Sequence, residues 1–283
     1  MSGDVIRPFR WDITRRNQLG SLPGVELPET YAEFEDDLLA CSARLLAFAG
    51  DSDLVFVGRS PQPIFDLLSG LLLGTTWADR LRLLNISLRR AQPTGEQARA
   101  LHPYLTSVGL APTAVARSAR TLALVDVVDT GETFEELMTI LASWTELEGA
   151  DWRAVARKLR VVGLTWREET SPKTWRWQQH AEWVDRLRVQ EIKNVSLPWR
   201  LATHLAAEIP KTSDFSFAPA SWGDAEAARP ARSFEARQAL ALAVYLFDLG
   251  RDRATRLQFA RMLGEQPAMT DRWFRSLALE IRR

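Results

Sequence analysis

One short stretch, residues 122–133, most constrains what this chain can fold into. It is Leu-Ala-Leu-Val-Asp-Val-Val-Asp-Thr-Gly-Glu-Thr, and it continues directly into Phe-Glu-Glu-Leu-Met-Thr-Ile-Leu. A continuous apolar run rich in β-branched residues, too short for an ordinary helix and closed by acids and a glycine, is typical of a buried parallel strand. The stretch therefore predicts a strand, a turn and a helix of an α/β fold. Its two carboxylates would lie at the carboxyl end of the strand, where open α/β sheets bind ligands.

The turn between this strand and helix carries residue types suited to binding an anion. Gly131 lets the backbone approach a ligand closely, while the N–H groups of the helix start and the hydroxyls of Thr130 and Thr133 can hold a phosphate. Asp126 and Asp129 offer carboxylates for sugar hydroxyls or for a magnesium ion. The alternative is an ordinary turn in which these acids and threonines only cap the helix.

A second short strand is predicted to end in a similar glycine turn. Residues 54–61 read Leu-Val-Phe-Val-Gly-Arg-Ser-Pro, and a helical pattern follows over residues 63–73. Arg59 offers a planar fork for two oxygens of a pyrophosphate, and Ser60 adds a donor. The alternative is that Gly58 only makes a tight turn and that Arg59 is a solvated surface charge.

Together the two loops resemble the signature of the type I phosphoribosyltransferases. In that family a hydrophobic strand and acidic residues precede a Thr-Gly-x-Thr loop, and the purine-salvage variant has the pattern acid-Asp-x-x-Asp-Thr-Gly-x-Thr. This chain carries Asp126-Val127-Val128-Asp129-Thr130-Gly131-Glu132-Thr133 in that register. The family also has a pyrophosphate loop of small and basic residues after its first core strand, in the same chain order. The resemblance covers somewhat more than half of the chain.

The resemblance implies a role for each matched residue. Asp126 would contact the ribose hydroxyls of phosphoribosyl pyrophosphate and, indirectly, its Mg²⁺. Asp129 would lie near the nucleobase or the phosphate loop, where the purine enzymes have an aspartate proposed as general base, so both acids are catalytic candidates. The ribose and 5′-phosphate would be held by Asp126, Asp129, Thr130, Gly131, Glu132 and Thr133. The pyrophosphate would be held by Gly58, Arg59 and Ser60.

Two positions depart from the family's pattern. Val125 replaces the first acid of the usual adjacent pair, so Asp126 would contact the ribose alone or with bound magnesium. Glu132 places a carboxylate in a phosphate loop, which predicts that its side chain points to solvent and that the loop binds through backbone N–H groups. Both departures favour a second function, that of a catalytically inactive protein of this fold that binds a nucleotide or phosphoribosyl pyrophosphate as a regulator or an assembly subunit.

Other segments extend the predicted sheet. Residues 82–88 read as the second strand, and residues 91–119 as a polar and then helical region, where the family has a mobile loop. Residues 158–165 read as the next strand, and Trp166 at its carboxyl end is a candidate for stacking on a base. The alternative is a packing cluster of tryptophans, namely Trp166, Trp175, Trp177 and Trp183.

The chain divides into three regions in sequence. Residues 1–29 are predicted as an irregular N-terminal arm. Residues 30–195 are predicted as a phosphoribosyltransferase-like α/β domain, with helices on both faces of a Rossmann-like parallel sheet. Residues 196–283 are predicted as an all-helical C-terminal domain, whose helices are joined by loops containing proline or glycine. This added region is a candidate to cover the site, to form a homodimer or to bind a protein partner.

Composition narrows the class of ligand and the compartment. The chain has 36 basic and 36 acidic residues and a formal net charge of zero, which gives no nucleic-acid signal. The single cysteine, Cys41, cannot form an internal disulfide and indicates a reducing compartment. The apolar stretches fall short of about 18 residues, and no signal-peptide pattern is evident. We therefore expect a cytoplasmic protein without a membrane span that acts on small molecules.

The function that the resemblance implies is that of a glycosyltransferase of nucleotide metabolism. It would bind magnesium-phosphoribosyl pyrophosphate, or a nucleotide, and transfer the phosphoribosyl group to or from a nucleobase-like acceptor. Other motifs offer no competing chemistry. The histidines are too widely spaced for a metal site, and the sequence contains no nucleotide phosphate loop, dinucleotide fingerprint or nucleophile elbow.

Overall fold

The protein folds around one parallel β-sheet. The computed structural model describes residues 5–166, 177–189, 191–213 and 216–283. In this part of the chain five strands pair in the order β2-β1-β3-β4-β5, all of them parallel. The prediction of an α/β fold with a parallel sheet is confirmed. The strands are β1 Ser52–Val57, β2 Leu81–Leu84, β3 Thr121–Val127, β4 Leu159–Trp166 and β5 Ile192–Leu197.

The strand order creates a crevice at one place on the sheet edge. From β1 the chain moves outward to β2, and it then returns to place β3 on the other side of β1. The connections leaving β1 and β3 therefore diverge toward opposite faces, and a gap opens beyond the carboxyl ends of these two strands. Such a switch point is where open α/β sheets bind ligands.

Helices cover both faces of the sheet. Their apolar sides pack on the strands, whose buried residues alternate between the two faces. One face carries α2, α3, α9 and the C-terminal helices, and the other carries α4 to α7. In the described part of the chain, no helix is both long and apolar enough to cross a bilayer. The helices are α1 Arg16–Leu19, α2 Phe34–Ala49, α3 Gln62–Leu71, α4 Gly95–Ser107, α5 Pro112–Arg117, α6 Glu132–Leu147, α7 Trp152–Ala156, α8 Trp183–Arg186, α9 Trp199–Thr203, α10 Phe234–Arg251, α11 Arg253–Gly264 and α12 Arg272–Arg282.

The C-terminal helices share a hydrophobic core with the sheet. Leu246 of α10, Phe259 of α11 and Phe274 of α12 belong to the same buried cluster as the apolar residues of β1 and β3. The region from residue 196 onward therefore packs directly on the α/β core and includes the helices that the sequence predicts.

The N-terminal arm lies against the same helices. Its residues Ile13 and Leu19 are buried against Leu240 and Phe247 of α10. Apart from the single turn of α1, the described arm is irregular, as its proline and glycine content predicts.

Two strands differ from their sequence predictions. The second strand is predicted over residues 82–88, but its ladder ends at Leu84 because its partner β1 ends at Val57. Ile86 and Leu88 are buried by packing without strand pairing. The fifth strand is not predicted, because Lys193, Asn194 and Ser196 interrupt its apolar residues at the edge of the sheet.

Candidate functional site

Both predicted loops open on one cleft at the carboxyl edge of the sheet: the β1 loop, residues 58–61, and the β3 turn, residues 128–131 with the first residues of α6. The cleft has a volume of about 540 Å³ and lies between the ends of β1 and β3. Segments that follow β2 and β5 complete its wall. All nine predicted loop residues line it, together with the predicted stacking residue: Gly58, Arg59, Ser60, Asp126, Asp129, Thr130, Gly131, Glu132, Thr133 and Trp166.

The β3 turn ends in a left-handed glycine that starts α6. Gly131 has φ +85°, and a Cβ added to it would lie 2.5 Å from Cε3 of Trp177. Glycine is therefore required there, both because φ is positive and because Trp177 leaves no room for a side chain. No side chain of the described residues caps α6. The first N–H groups of this 16-residue helix are consequently available to an anion in the cleft.

Asp126 occupies the last buried position of β3. The residue is 7% exposed, and its Oδ1 accepts a hydrogen bond of 2.7 Å from the backbone N–H of Val127. Burial raises the pKa of Asp126 to about 8, against the opposing effects of the Val127 N–H, the Thr133 hydroxyl and the Lys211 charge. In the free protein this carboxyl therefore retains its proton near neutral pH.

Asp129 has a very different environment, although it is only three residues away. Its side chain is 67% exposed, and its Oδ2 lies 3.4 Å from Nη2 of Arg89, itself 63% exposed. An ion pair this exposed contributes little to stability. The turn thus presents one buried, protonated carboxyl and one solvated carboxylate to the same cleft.

The β1 loop contacts the carboxylate side of the cleft and is held by a distant part of the chain. A Cβ added to Gly58 would lie 3.6 Å from Oδ1 of Asp126, so the two loops touch. The Nη2 of Arg59 donates a hydrogen bond of 2.8 Å to Oγ of Ser216, and its Nη1 donates one of 3.4 Å to the carbonyl of Ser213. Burial lowers the pKa of Arg59. Its guanidinium is therefore partly buried and bonded to the chain, not freely solvated.

Lys211 also reaches the cleft, and the sequence analysis misses it. Its Nζ donates a hydrogen bond of 2.8 Å to the carbonyl of Leu205, in the helical turn that follows α9. Burial, followed by the charge of Arg59, lowers the pKa of Lys211 to about 8, and the charge of Asp126 acts in the opposite direction. Lys211 is therefore electrostatically coupled to both loops. One feature of the sequence singles out Lys211: the chain has only four lysines among its 36 basic residues.

The two departures from the family's pattern have different structural contexts. Val125 is fully buried in the sheet beside Phe56 and Val162, in the cluster on the face opposite Asp126. A carboxylate at this position would lie in the hydrophobic core. The expectation that the Glu132 side chain points to solvent is wrong for one oxygen, because its Oε2 is buried and has no hydrogen-bond partner among the described residues.

The tryptophans near the cleft divide into two groups. Trp166 is 44% exposed at the end of β4 and lines the cleft. Trp177 and Trp183 are buried and stacked, with ring centroids 6.2 Å apart, and Nε1 of Trp177 donates a 2.8 Å hydrogen bond to Asn194. The predicted packing cluster therefore applies to these two, while Trp175 lies outside the described residues.

The donor atoms of the cleft fit a magnesium ion that a ligand brings with it. No group of three or more His, Cys, Asp or Glu side chains within the described ranges is placed to hold a metal ion. Magnesium commonly uses one or two carboxylates together with water and substrate phosphate oxygens. Asp129 provides one carboxylate at the cleft, and Asp126 provides a second when it releases its proton.

The site combines partly buried cations, an uncapped helix start and carboxylates within one cleft. It can hold a ligand that has two anionic groups and hydroxyl groups between them. Comparisons with protein-family models, curated proteins and solved structures give no match to this chain. The function is therefore inferred from the residues of the cleft.

Proposed function

We propose that this protein is a phosphoribosyltransferase-like enzyme. It binds magnesium-phosphoribosyl pyrophosphate, or a nucleotide, and transfers the phosphoribosyl group to or from a nucleobase-like acceptor. The observation that supports this proposal is that the β1 loop and the β3 turn line one cleft, on either side of the switch between β1 and β3. A sugar with a 5′-phosphate at one end and a pyrophosphate at the other matches that arrangement.

The 5′-phosphate is assigned to the start of α6. The uncapped backbone N–H groups there carry the positive end of the helix dipole. Thr130 is exposed beside them and adds a hydroxyl donor. Because these donors are mostly backbone groups, the carboxylate of Glu132 need not contact the phosphate.

The pyrophosphate is assigned to the β1 loop and to Lys211. Arg59 has a guanidinium fork that matches two phosphate oxygens, and Ser60 adds a hydroxyl. Lys211 brings a second cation to the cleft. To bind the ligand fully, Arg59 exchanges its bonds to Ser213 and Ser216 for bonds to phosphate oxygens.

The ribose hydroxyls are assigned to the carboxyl groups between the two anion sites. Asp126 lies where β3 ends, next to both loops. Glu132 has a buried Oε2 that needs a donor, and a sugar hydroxyl supplies one. In this chain Glu132 therefore takes the place of the acid that the family has at position 125.

In the transfer, the bond from the anomeric carbon to the pyrophosphate oxygen breaks and a bond to the acceptor nitrogen forms. Arg59 and Lys211 stabilise the negative charge that develops on the leaving pyrophosphate. Asp126 and Glu132 hold the ribose in position, and Asp129 takes the proton that the acceptor nitrogen loses. Magnesium, when bound with the ligand, supplies further positive charge at the pyrophosphate. Trp166 offers an exposed aromatic face to the acceptor base.

A second function is favoured by two observations. Val125 replaces an acid that the family has at this position, and Arg59 is already hydrogen-bonded within the chain. A protein with these features can bind a nucleotide or phosphoribosyl pyrophosphate without turnover and act as a regulator or an assembly subunit. The C-terminal helices are then candidates for the surface that contacts a protein partner or a second copy.

Two experiments test both functions. The first is a calorimetric titration with phosphoribosyl pyrophosphate and magnesium, and the second is a pyrophosphate-release assay with a panel of nucleobases. Binding with turnover supports the enzyme, and binding without turnover supports the regulator. No binding at millimolar ligand contradicts both.

A matched pair of variants locates the binding. Arg59→Ala should weaken binding strongly, because it removes the guanidinium from the β1 loop. Arg261→Ala changes an exposed arginine on α11 and should leave binding unchanged. Equal affinities for the two variants would show that the ligand is bound elsewhere.

A further inference from the structure

A second cavity lies beneath the N-terminal arm, along the edge strand β2. It has a volume of about 590 Å³, within the usual range for sites of small molecules. The arm contributes Phe9, Arg10 and Trp11 to its lining, and Asn85, which directly follows β2, also lines it. Among the described residues, the cavity and the cleft have no lining residue in common.

Asn85 lines this cavity, and its side-chain amide is buried without a partner among the described residues. The residue is 4% exposed, and neither Oδ1 nor Nδ2 has a hydrogen-bond partner among the described residues. Its backbone N–H is satisfied, because it donates a hydrogen bond of 2.8 Å to the hydroxyl of Tyr104. A buried amide without partners destabilises the fold, and a ligand that bonds to both of its polar atoms would offset that cost.

A third unpaired polar atom lines the same cavity. Arg10 forms an ion pair with Asp66 through Nη2, whereas its Nη1 is buried without a partner among the described residues. Asp66 thus already balances the charge of Arg10, so a neutral acceptor such as a carbonyl oxygen is the suitable partner for the remaining N–H groups.

Aromatic side chains supply the rest of the recognition surface. Phe9 and Trp11 pack edge to face with ring centroids 4.9 Å apart, and the guanidinium carbon of Arg10 lies 5.4 Å from the centroid of Phe65. All of these residues line the cavity. Aromatic and apolar walls with a few buried polar groups are typical of sites for planar ligands.

We propose that this cavity binds an oxo-nucleobase, free or as a nucleoside. Such a base has a ring N–H next to a carbonyl group. Oδ1 of Asn85 accepts the ring N–H, Nδ2 donates to the adjacent carbonyl, and Nη1 of Arg10 donates to an oxygen of the ligand. The site is separate from the cleft of the proposed function and does not depend on it.

The test uses nucleosides, which lack the phosphates that the cleft would bind. Calorimetric titration should show binding of uridine and of inosine to the full-length protein. 3-Methyluridine, in which a methyl group replaces the ring N–H, should not bind. No binding of uridine or inosine at millimolar concentration, or equal binding of 3-methyluridine and uridine, would overturn the proposal.

Variants separate this cavity from the cleft. Asn85→Leu keeps the approximate size of the side chain, and it should weaken uridine binding by about tenfold or more through the loss of two hydrogen bonds. Trp166→Ala removes the aromatic face that the cleft would offer to a base, and it should leave uridine binding unchanged. Unchanged affinity in Asn85→Leu, or loss of uridine binding in Trp166→Ala, would place the ligand elsewhere.

A spectroscopic measurement on the unmodified protein does not depend on how the variant folds. The side-chain amide resonance of Asn85 in a ¹⁵N spectrum should shift on addition of uridine and stay in place with 3-methyluridine. An unshifted resonance at a uridine concentration that gives calorimetric saturation would contradict the contact.

Discussion

The β1 loop and the β3 turn face the same cleft but differ in whether their polar groups are already bonded within the chain. In the β1 loop, the cationic group of Arg59 is bonded to Ser213 and Ser216, more than 150 positions later in the chain. In the β3 turn, Asp129 and Thr130 are exposed and the helix start is uncapped by described side chains. The first loop must give up internal bonds to bind a ligand, whereas the second is free to bind one directly.

Under the proposed function, this difference predicts an order of binding. The β3 turn would hold the 5′-phosphate first, and the β1 loop would exchange its bonds when the pyrophosphate binds. Lys211 connects the two events, because its charge acts on both Arg59 and Asp126. Variants that disable one side should therefore reveal which loop dominates the affinity.

The largest effect is expected for Asp126→Asn, which replaces the buried carboxyl group between the loops with an amide. We expect turnover of phosphoribosyl pyrophosphate to fall by roughly a hundredfold or more, the size of effect seen when a preorganised polar group of an active site is removed. Pyrophosphate release measures this loss. Asp129→Asn is the matched comparison in the exposed part of the turn, and a larger loss there would reverse the assignment of the two acids.

The same variant should change the pH dependence of stability. The pKa of Asp126 rises from 3.8 in the unfolded chain to about 8 in the folded one. Between these values the unfolded state releases a proton that the folded state keeps, so the free energy of unfolding falls as the pH rises. Asp126→Asn should be more stable than the unmodified protein at pH above about 8, by urea unfolding. Parallel pH profiles would contradict the raised pKa.

The next largest effect is expected for Gly131→Ala, which disturbs the β3 turn alone. The left-handed backbone and the collision with Trp177 should together cost about 2–4 kcal/mol of unfolding free energy. Gly149→Ala is the control, because Gly149 also has a positive φ, of +63°, but no heavy atom within 4 Å of an added Cβ. Equal costs in urea unfolding would show that the contact with Trp177 is unimportant.

An intermediate effect is expected for Lys211→Met, which removes the charge that connects the loops. Affinity for phosphoribosyl pyrophosphate should fall roughly tenfold to a hundredfold, the value of a charge-assisted hydrogen bond. The titration also includes Lys193→Met, which changes an exposed lysine on β5. If both variants bind equally well, Lys211 does not contact the ligand.

The smallest effect is expected for Ser216→Ala, which frees Arg59 from one internal bond. Affinity for the pyrophosphate should rise by roughly fivefold, because one hydrogen bond of about 1 kcal/mol no longer competes. Ser213→Ala is the control, since Arg59 bonds to the carbonyl of Ser213 and not to its hydroxyl. A decrease in affinity for Ser216→Ala would mean that Ser216 holds Arg59 in its binding position.

Features encoded locally could be predicted from the sequence. β3 and α6 follow from one contiguous apolar run, an acidic turn and a helical period, so their placement needs no distant information. The β1 loop is predicted for the same reason. β5 is not, because its polar residues are tolerated only at the edge of the sheet, and edge position is a property of the completed fold.

The rest of the site depends on contacts between distant segments. Lys211 lies in an irregular Pro-Lys-Thr sequence, and its burial beside Asp126 depends on where the chain travels after β5. The buried oxygen of Glu132 likewise reflects its neighbours in the fold and not the turn itself. The sequence shows Asn85 as a polar residue within an apolar run, but it does not show that the side-chain amide lacks hydrogen-bond partners.

The position of Lys211 in the chain has a consequence for how the protein is made. Synthesis from the N-terminus produces the β1 loop and the β3 turn early, and roughly 80 residues separate the β3 turn from Lys211. At about 5–20 residues per second, the ribosome needs about 4–16 s to bridge that interval. During this time the nascent chain has the β1 loop and the β3 turn but lacks Lys211, so under the proposed function the chain would become able to bind its ligand only late in biosynthesis.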